Sequence, residues 1–180
     1  MAATDRLIDR LPDDIEQRIR ALLARACDNC LTLATAESCT GGLIGALLTD
    51  VEGMSHAYER GFIVYTDDAK AALLGIPRSL IDMHGAVSRE VALAMVEGAL
   101  FHSRADVALA VTGFAGAGAS GDEPGLVHLA CQRRGGSPDH REAHFGDIGR
   151  AAIRLETVRT AVAMMTVALE RIARTVPVGT

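Results

Sequence analysis

Three residues of this chain combine into a recognisable chemistry: Ser38, Lys70 and Tyr65. A serine hydroxyl becomes a nucleophile when a neighbouring base takes its proton, and a neutral lysine can be that base. The combination points to a Ser–Lys hydrolase. Ser38 lies in Thr35-Ala36-Glu37-Ser38-Cys39-Thr40-Gly41-Gly42. The two glycines permit positive φ and close approach to a ligand. A helix starting just beyond leaves N–H groups unpaired and a partial positive charge. A hydroxyl there faces a site for an anion, or for the oxyanion of an acyl-transfer intermediate. The competing reading is that Ser38 or Thr40 only caps the helix. Lys70 must lose its proton near neutral pH. Its place in the first turn of a helix helps, because the dipole there disfavours a cation. Asp67 and Asp68 oppose this if they lie close. The plainer readings are a solvated helix lysine for Lys70 and a strand-end core residue for Tyr65.

Other chemistries are less well supplied. His56, His84, His102, His128, His140 and His144 are scattered, and none forms a helical pair of metal ligands. Only His84 suits a Ser–His–Asp triad by position. Cys27 and Cys30 form a lone C-x-x-C, and Cys39 and Cys131 do not complete a zinc pattern. All four are expected to be reduced thiols, and no metal or cofactor is expected. Gly116-Ala117-Gly118 is not a dinucleotide fingerprint, because no helix start follows it.

Composition narrows the partners. A net charge of −5 with no basic run argues against nucleic acid, since phosphate contacts need clustered Lys and Arg. Aromatic residues make up only 3%, so base-stacking platforms are poorly supplied. No apolar run is long enough for a membrane span. Met1 to Arg10 lacks an apolar signal region, and a cytoplasmic location follows as the expectation. Residues 1–180 are read as one domain, without an internal repeat.

The elements that must position these residues follow in order. Pro12-Asp13-Asp14 opens a helix with Ile15, Ile19, Leu22 and Ala26 on one face, ending near Asn29. Leu31 to Ala34 alternates like a half-buried strand. Leu43 to Leu48 reads as a short buried helix. Tyr58 to Thr66 is a second strand, and Thr66-Asp67-Asp68 caps a helix that stops at Gly75. A short helical turn runs from Pro77 to His84-Gly85. Ser88 caps a longer helix. Asp106 to Val111 is almost wholly apolar, as a strand buried on both faces is. A Gly-rich loop spans Gly113 to Gly125. Leu126 to Gln132 and Arg141 to Phe145 form a hairpin around Gly135-Gly136-Ser137-Pro138. A last helix starts near Gly149, and Leu155, Val158, Val162, Met165, Leu169 and Ile172 form an a/d stripe. That stripe docks on the sheet, or serves in part as a contact between subunits. Helices between the early strands imply parallel pairing. The expected fold is a three-layer α/β/α sandwich on a mixed, mostly parallel sheet of about five strands. Ligands bind such sheets at the C-terminal strand ends, where the loops at Ser38–Gly42, Tyr65–Lys70 and Thr112–Gly125 meet.

The ordered motifs resemble a known family. They are Ala36-Glu37-Ser38-Cys39-Thr40-Gly41-Gly42; Arg60-Gly61-Phe62 with Tyr65-Thr66 and Ala69-Lys70; Leu74-Gly75; His84-Gly85-Ala86-Val87-Ser88; and Thr112-Gly113 with Ala115-Gly116. From about Ile15 to Leu169 the chain resembles the CinA C-terminal domain family, which are nicotinamide-nucleotide amidohydrolases. They convert nicotinamide mononucleotide and water to nicotinate mononucleotide and ammonia. The resemblance implies the same α/β/α fold, no metal and no cofactor. It implies Ser38 as nucleophile, Lys70 as its base, and Tyr65 orienting Lys70 or the substrate. Glu37, Cys39, Thr40, Gly41 and Gly42, with Thr112, Gly113 and Arg150, would bind substrate. Among them, Thr40 to Gly42 would supply donors to the oxyanion or phosphate. The implied partner is a small pyridine nucleotide, and the implied assembly a homo-oligomer.

Two stretches depart from the family pattern. The third loop reads Ala115-Gly116-Ala117-Gly118-Ala119, then Asp122-Glu123-Pro124-Gly125, without the family's proline and lysine. This bears on substrate affinity and choice. A G-D-R motif matches here only with two residues inserted, Gly146-Asp147-Ile148-Gly149-Arg150. Arg150 and Arg154 lie four apart on one helix face, to hold phosphate or to face solvent. The alternative to an amidohydrolase is a catalytically silent nucleotide-binding or regulatory domain. A hydrogen bond from Lys70 Nζ to Ser38 Oγ is expected if the chain is an enzyme.

Overall fold

The computed structural model of the protein describes residues 11–116 and 121–173. The readings made on Met1 to Arg10 and on 117–120 lie outside those residues. Five strands form one sheet in the order β2-β1-β3-β4-β5. They are β1 (Leu33–Glu37), β2 (Tyr58–Ile63), β3 (Val107–Gly113), β4 (Leu126–Arg133) and β5 (Asp139–His144). β1 pairs in parallel with both β2 and β3, while β4 runs antiparallel to β3 and to β5. The helices are α1 (Asp13–Asp28), α2 (Leu43–Thr49), α3 (Asp67–Leu74), α4 (Arg78–His84), α5 (Arg89–Phe101) and α6 (Arg150–Ala173). All four cysteines are free thiols. No helix among the described residues is long and apolar enough to cross a membrane.

The two faces of the sheet differ in side-chain size, and this sorts the helices into layers. On β1 and β3, Leu33, Val107, Leu109 and Val111 point to one side, where they pack with α1, α2 and α6. Ala34, Ala36, Ala108 and Ala110 point to the other, packed with α3, α4 and α5. Alternation of side chains along a strand produces this division. The alanine face lets α5 lie close to the sheet. The expected three-layer sandwich is therefore the observed one.

β1 differs from its expected form. It begins two residues later than Leu31 and runs through Thr35-Ala36-Glu37, which the sequence placed in the turn. It is buried along its whole length rather than on one face. The Thr and Glu side chains that mimic a polar face find hydrogen bonds inside the protein instead, as buried polar groups must. The stripe on α6 docks inward: Val158, Val162, Met165 and Leu169 are core residues beside α1 and the sheet.

β1 leads through α2 to β2 on one side, and the chain then returns to β3 on the other. The strand order reverses at β1. A crevice therefore opens beyond the C-terminal ends of β1 and β3, the place where open α/β sheets hold ligands.

Candidate active site

Ser38 follows directly on β1, and its N–H extends the ladder by donating to the Val111 carbonyl at 3.0 Å. The chain then turns sharply. Gly41 and Gly42 take φ of +60° and +91°, left-handed values that favour glycine. A Cβ on Gly42 would meet Ile63 Cδ1 at 2.9 Å. Ser38 is held at the floor of a cleft of about 300 Å³, shared with Cys39, Tyr65, Lys70, Thr112 and Arg150.

Lys70 reaches the same cleft from α3. Thr66 caps that helix by accepting the Ala69 N–H at 3.1 Å. Lys70 follows in the first turn and is 1% exposed. Its Nζ donates to the Tyr65 carbonyl at 3.4 Å and lies 3.7 Å from Asp67 Oδ1. Burial lowers its pKa, and the Asp67 carboxylate partly restores it. The expected bond to Ser38 Oγ is not formed; Nζ is turned to the Tyr65 carbonyl and Asp67 instead. Asp68 turns outward to Arg78 at 2.5 Å. Tyr65 thus holds the lysine by its backbone, while its side chain stands 61% exposed on the cleft wall.

The sulfhydryl beside the serine is a poor competitor. Cys39 is buried, and burial pushes its thiol up to about 12. A thiolate is the nucleophilic form of cysteine, so this sulfur is inert at neutral pH. His84 lies outside the cleft, with Nδ1 3.7 Å from the Glu90 carboxylate.

Thr112 and Gly113 close the cleft from β3. The buried Thr112 hydroxyl donates to the Ala86 carbonyl at 2.7 Å, fixing the segment that carries Ala86 and Val87 into the cleft wall. Ser88 anchors the next turn, accepting the Val91 N–H at 3.3 Å. Gly113 is packed against β4: a Cβ there would come 2.7 Å from the Leu126 carbonyl.

Arg150 and Arg154, four residues apart on α6, have different partners. Arg150 is exposed at the helix start and lines the cleft. Its guanidinium makes no ion pair or hydrogen bond among the described residues. Arg154 instead donates to the Thr40 carbonyl and braces the turn.

Glu37 is the main difference from expectation. It does not line the cleft. Its buried carboxylate accepts the Thr40 hydroxyl at 2.7 Å and the N–H groups of Gly42, Ile44 and Gly45 at 3.1, 3.0 and 2.8 Å. The N-terminus of α2, open to an anion by sequence, is therefore filled by the chain's own carboxylate. The Gly41 N–H is taken too, by the Ser38 carbonyl at 3.1 Å. Thr40, Gly41 and Gly42 thus shape the turn instead of lining the cleft. The physical reason is register: β1 continues to Glu37, so its side chain points under the turn rather than into the cleft. Six further cleft residues, Asp67, Ala86, Val87, Phe114, Ala115 and Gly116, carry no catalytic signature in sequence. Ala86 and Val87 are traceable only through the His84–Ser88 motif.

A profile of the CinA C-terminal domain matches residues 14–169. The chain belongs to this family. A crystal structure of competence/damage inducible protein CihA from Agrobacterium tumefaciens aligns with a TM-score of 0.84 at 48% identity, covering 89% of this chain and 98% of that one. A CinA superfamily protein from Escherichia coli aligns at 0.79 with 34% identity, covering 87% and 92%. Among curated relatives, a putative competence-damage inducible protein of Symbiobacterium thermophilum is 47% identical over 70% of this chain and 30% of its own length. A CinA-like protein of Geobacter sulfurreducens is 44% identical over 88% and 38%. The chain thus spans about a third of the curated CinA relatives it matches.

Proposed function

We propose that this CinA-family domain is an amidohydrolase that converts the carboxamide of nicotinamide mononucleotide to the carboxylate and releases ammonia. One observation carries the reading: a serine on a tight strand–turn and a buried lysine of lowered pKa face one cleft, next to a cysteine that burial keeps inert. Lys70 takes the proton of Ser38. Ser38 Oγ attacks the carboxamide carbon, and the oxyanion is met by the amide of Cys39, which lines the cleft and is not drawn to Glu37. Lys70 passes the proton to the leaving nitrogen, the C–N bond breaks, and ammonia departs. Water then attacks the acyl-serine, Lys70 takes its proton, and the Ser38 hydroxyl is restored. The Arg150 guanidinium, uncommitted within the described residues, receives the substrate phosphate. The exposed Tyr65 ring lies against the bound nucleotide. The partner is a small pyridine nucleotide.

The test is product identification from purified chain and nicotinamide mononucleotide. Nicotinate mononucleotide and ammonia in equal amounts, lost in Lys70→Ala, support the reading. Binding of the nucleotide without turnover would replace it with a silent nucleotide-binding domain.

A further inference from the structure

The carboxylate beneath the turn has a longer chain of partners than helix capping requires. Besides its four bonds to the turn and to α2, Glu37 Oε1 accepts the Thr35 hydroxyl at 3.1 Å. Thr35 Oγ1 lies 2.7 Å from the Tyr58 hydroxyl. Thr35 has one proton and gives it to Glu37. The tyrosine must therefore be the donor in the second contact. A directed chain results: Tyr58 donates to Thr35, Thr35 to Glu37, and Thr40 to Glu37 from the other side. Every neighbour of the Glu37 side-chain oxygens in this set is a donor. Two glycines make room for the tyrosine: a Cβ on Gly45 or Gly61 would come 2.5 or 2.2 Å from the Tyr58 oxygen. Tyr58 stands on β2, an edge strand of the sheet, and does not touch the cleft.

Thr40 is thereby held at two points. Its hydroxyl is bound to Glu37, and its carbonyl to Arg154. Cys39 lies between it and Ser38. We infer that the chain Tyr58–Thr35–Glu37–Thr40 is the positioning network of the Ser38 turn, fixing the peptide groups that follow the nucleophile toward the reacting carbonyl. The inference rests on the amidohydrolase reading for its reaction. These residues touch no substrate, so their loss falls on the chemical step and leaves binding in place. A glutamine at position 37 cannot substitute. Whichever way its amide points, its NH2 group meets an N–H donor: Gly45 on one side, Gly42 and Ile44 on the other.

The experiment compares wild type, Glu37→Gln, Tyr58→Phe and a core control far from the site, Leu22→Val on α1. Thermal melts set the assay temperature below every transition. Ammonia release then gives kcat and KM, and labelling of Ser38 by a fluorophosphonate gives a rate that needs no amide substrate. The expected result is a fall in kcat of about a hundredfold for Glu37→Gln and of about threefold or more for Tyr58→Phe. KM stays within about twofold, labelling slows in parallel, and the control keeps wild-type values per folded molecule. If Glu37→Gln does not fold, Tyr58→Phe carries the comparison alone. Wild-type kcat and labelling in folded Tyr58→Phe, or a rise in KM at constant kcat, overturns the inference. Absence of ammonia from wild type refutes the reaction alone; the labelling rates still decide the network.

Discussion

Lys70 Nζ and Asp67 Oδ1 lie 3.7 Å apart in one turn of α3, the lysine side chain 2% exposed and the aspartate 43%. The two residues pull in opposite directions. Burial favours the neutral amine that can take a proton, and the half-exposed carboxylate favours the ammonium. The pair sets where on the pH scale the proposed base becomes active.

Asp67→Asn removes the opposing charge. The Lys70 pKa then falls further, since the largest contribution opposing burial is gone. Activity requires neutral lysine, so it rises as pH passes upward through that pKa. The rising limb of kcat/KM against pH therefore moves to lower pH in Asp67→Asn. A limb that stays in place, or moves to higher pH, contradicts the role given to Lys70.

Lys70→Met separates stability from function. The folded pKa of Lys70 lies below its unfolded value, so protonating it opposes folding. That penalty is fully present below the folded pKa and is relieved as pH rises toward the unfolded one. At neutral pH an apolar side chain of similar length removes it. The variant is expected to be more stable by about 1 kcal/mol, read as a raised Tm, while losing turnover. The gain in stability shrinks as pH rises toward the unfolded lysine pKa. A Tm lowered by several degrees would show that Lys70 is held by better partners than Tyr65 O and Asp67.

Arg150→Ala addresses the phosphate. The guanidinium lines the cleft from the start of α6 and is exposed. KM for nicotinamide mononucleotide is expected to rise about tenfold or more, because a charge-assisted contact is lost. KM for the riboside, which has no phosphate, is expected to stay unchanged. Equal effects on both substrates would remove Arg150 from phosphate binding.

Thr112→Val keeps shape and removes one hydrogen bond, the 2.7 Å contact to the Ala86 carbonyl. The expected loss is about 1 kcal/mol of stability, measured by denaturant unfolding. A looser Ala86–Val87 wall also raises KM more than it lowers kcat.

Much of this was legible before the structure because local signals agreed with the fold. Thr66 and Ser88 are readable as caps, Gly75 as a helix end, and the almost wholly apolar Asp106–Val111 run as a buried strand; the caps and the helix end are found there, and the strand runs Val107–Gly113. Ser38 and Thr112 fall at strand ends and Lys70 in the first turn of the helix after β2, so their convergence follows from topology. Glu37 did not yield to the same reasoning. A carboxylate beside a candidate nucleophile reads as a site residue, and only strand register shows that it points beneath the turn. Arg150 and Arg154 look equivalent by helical spacing. Their difference comes from the turn at Thr40, a contact 114 positions away in sequence. The Lys70–Ser38 bond is expected from chemistry alone, but Nζ donates to the Tyr65 carbonyl and sits beside the Asp67 carboxylate instead.

The most direct measurement is ammonia release from nicotinamide mononucleotide by the purified chain and by its Ser38→Ala variant, with nucleotide binding followed in parallel. The account predicts release by the first, a loss of several decades in rate in the second, and binding by both. Release by Ser38→Ala at the wild-type rate would contradict the assigned nucleophile. Release by neither, with binding intact, would contradict the reaction itself.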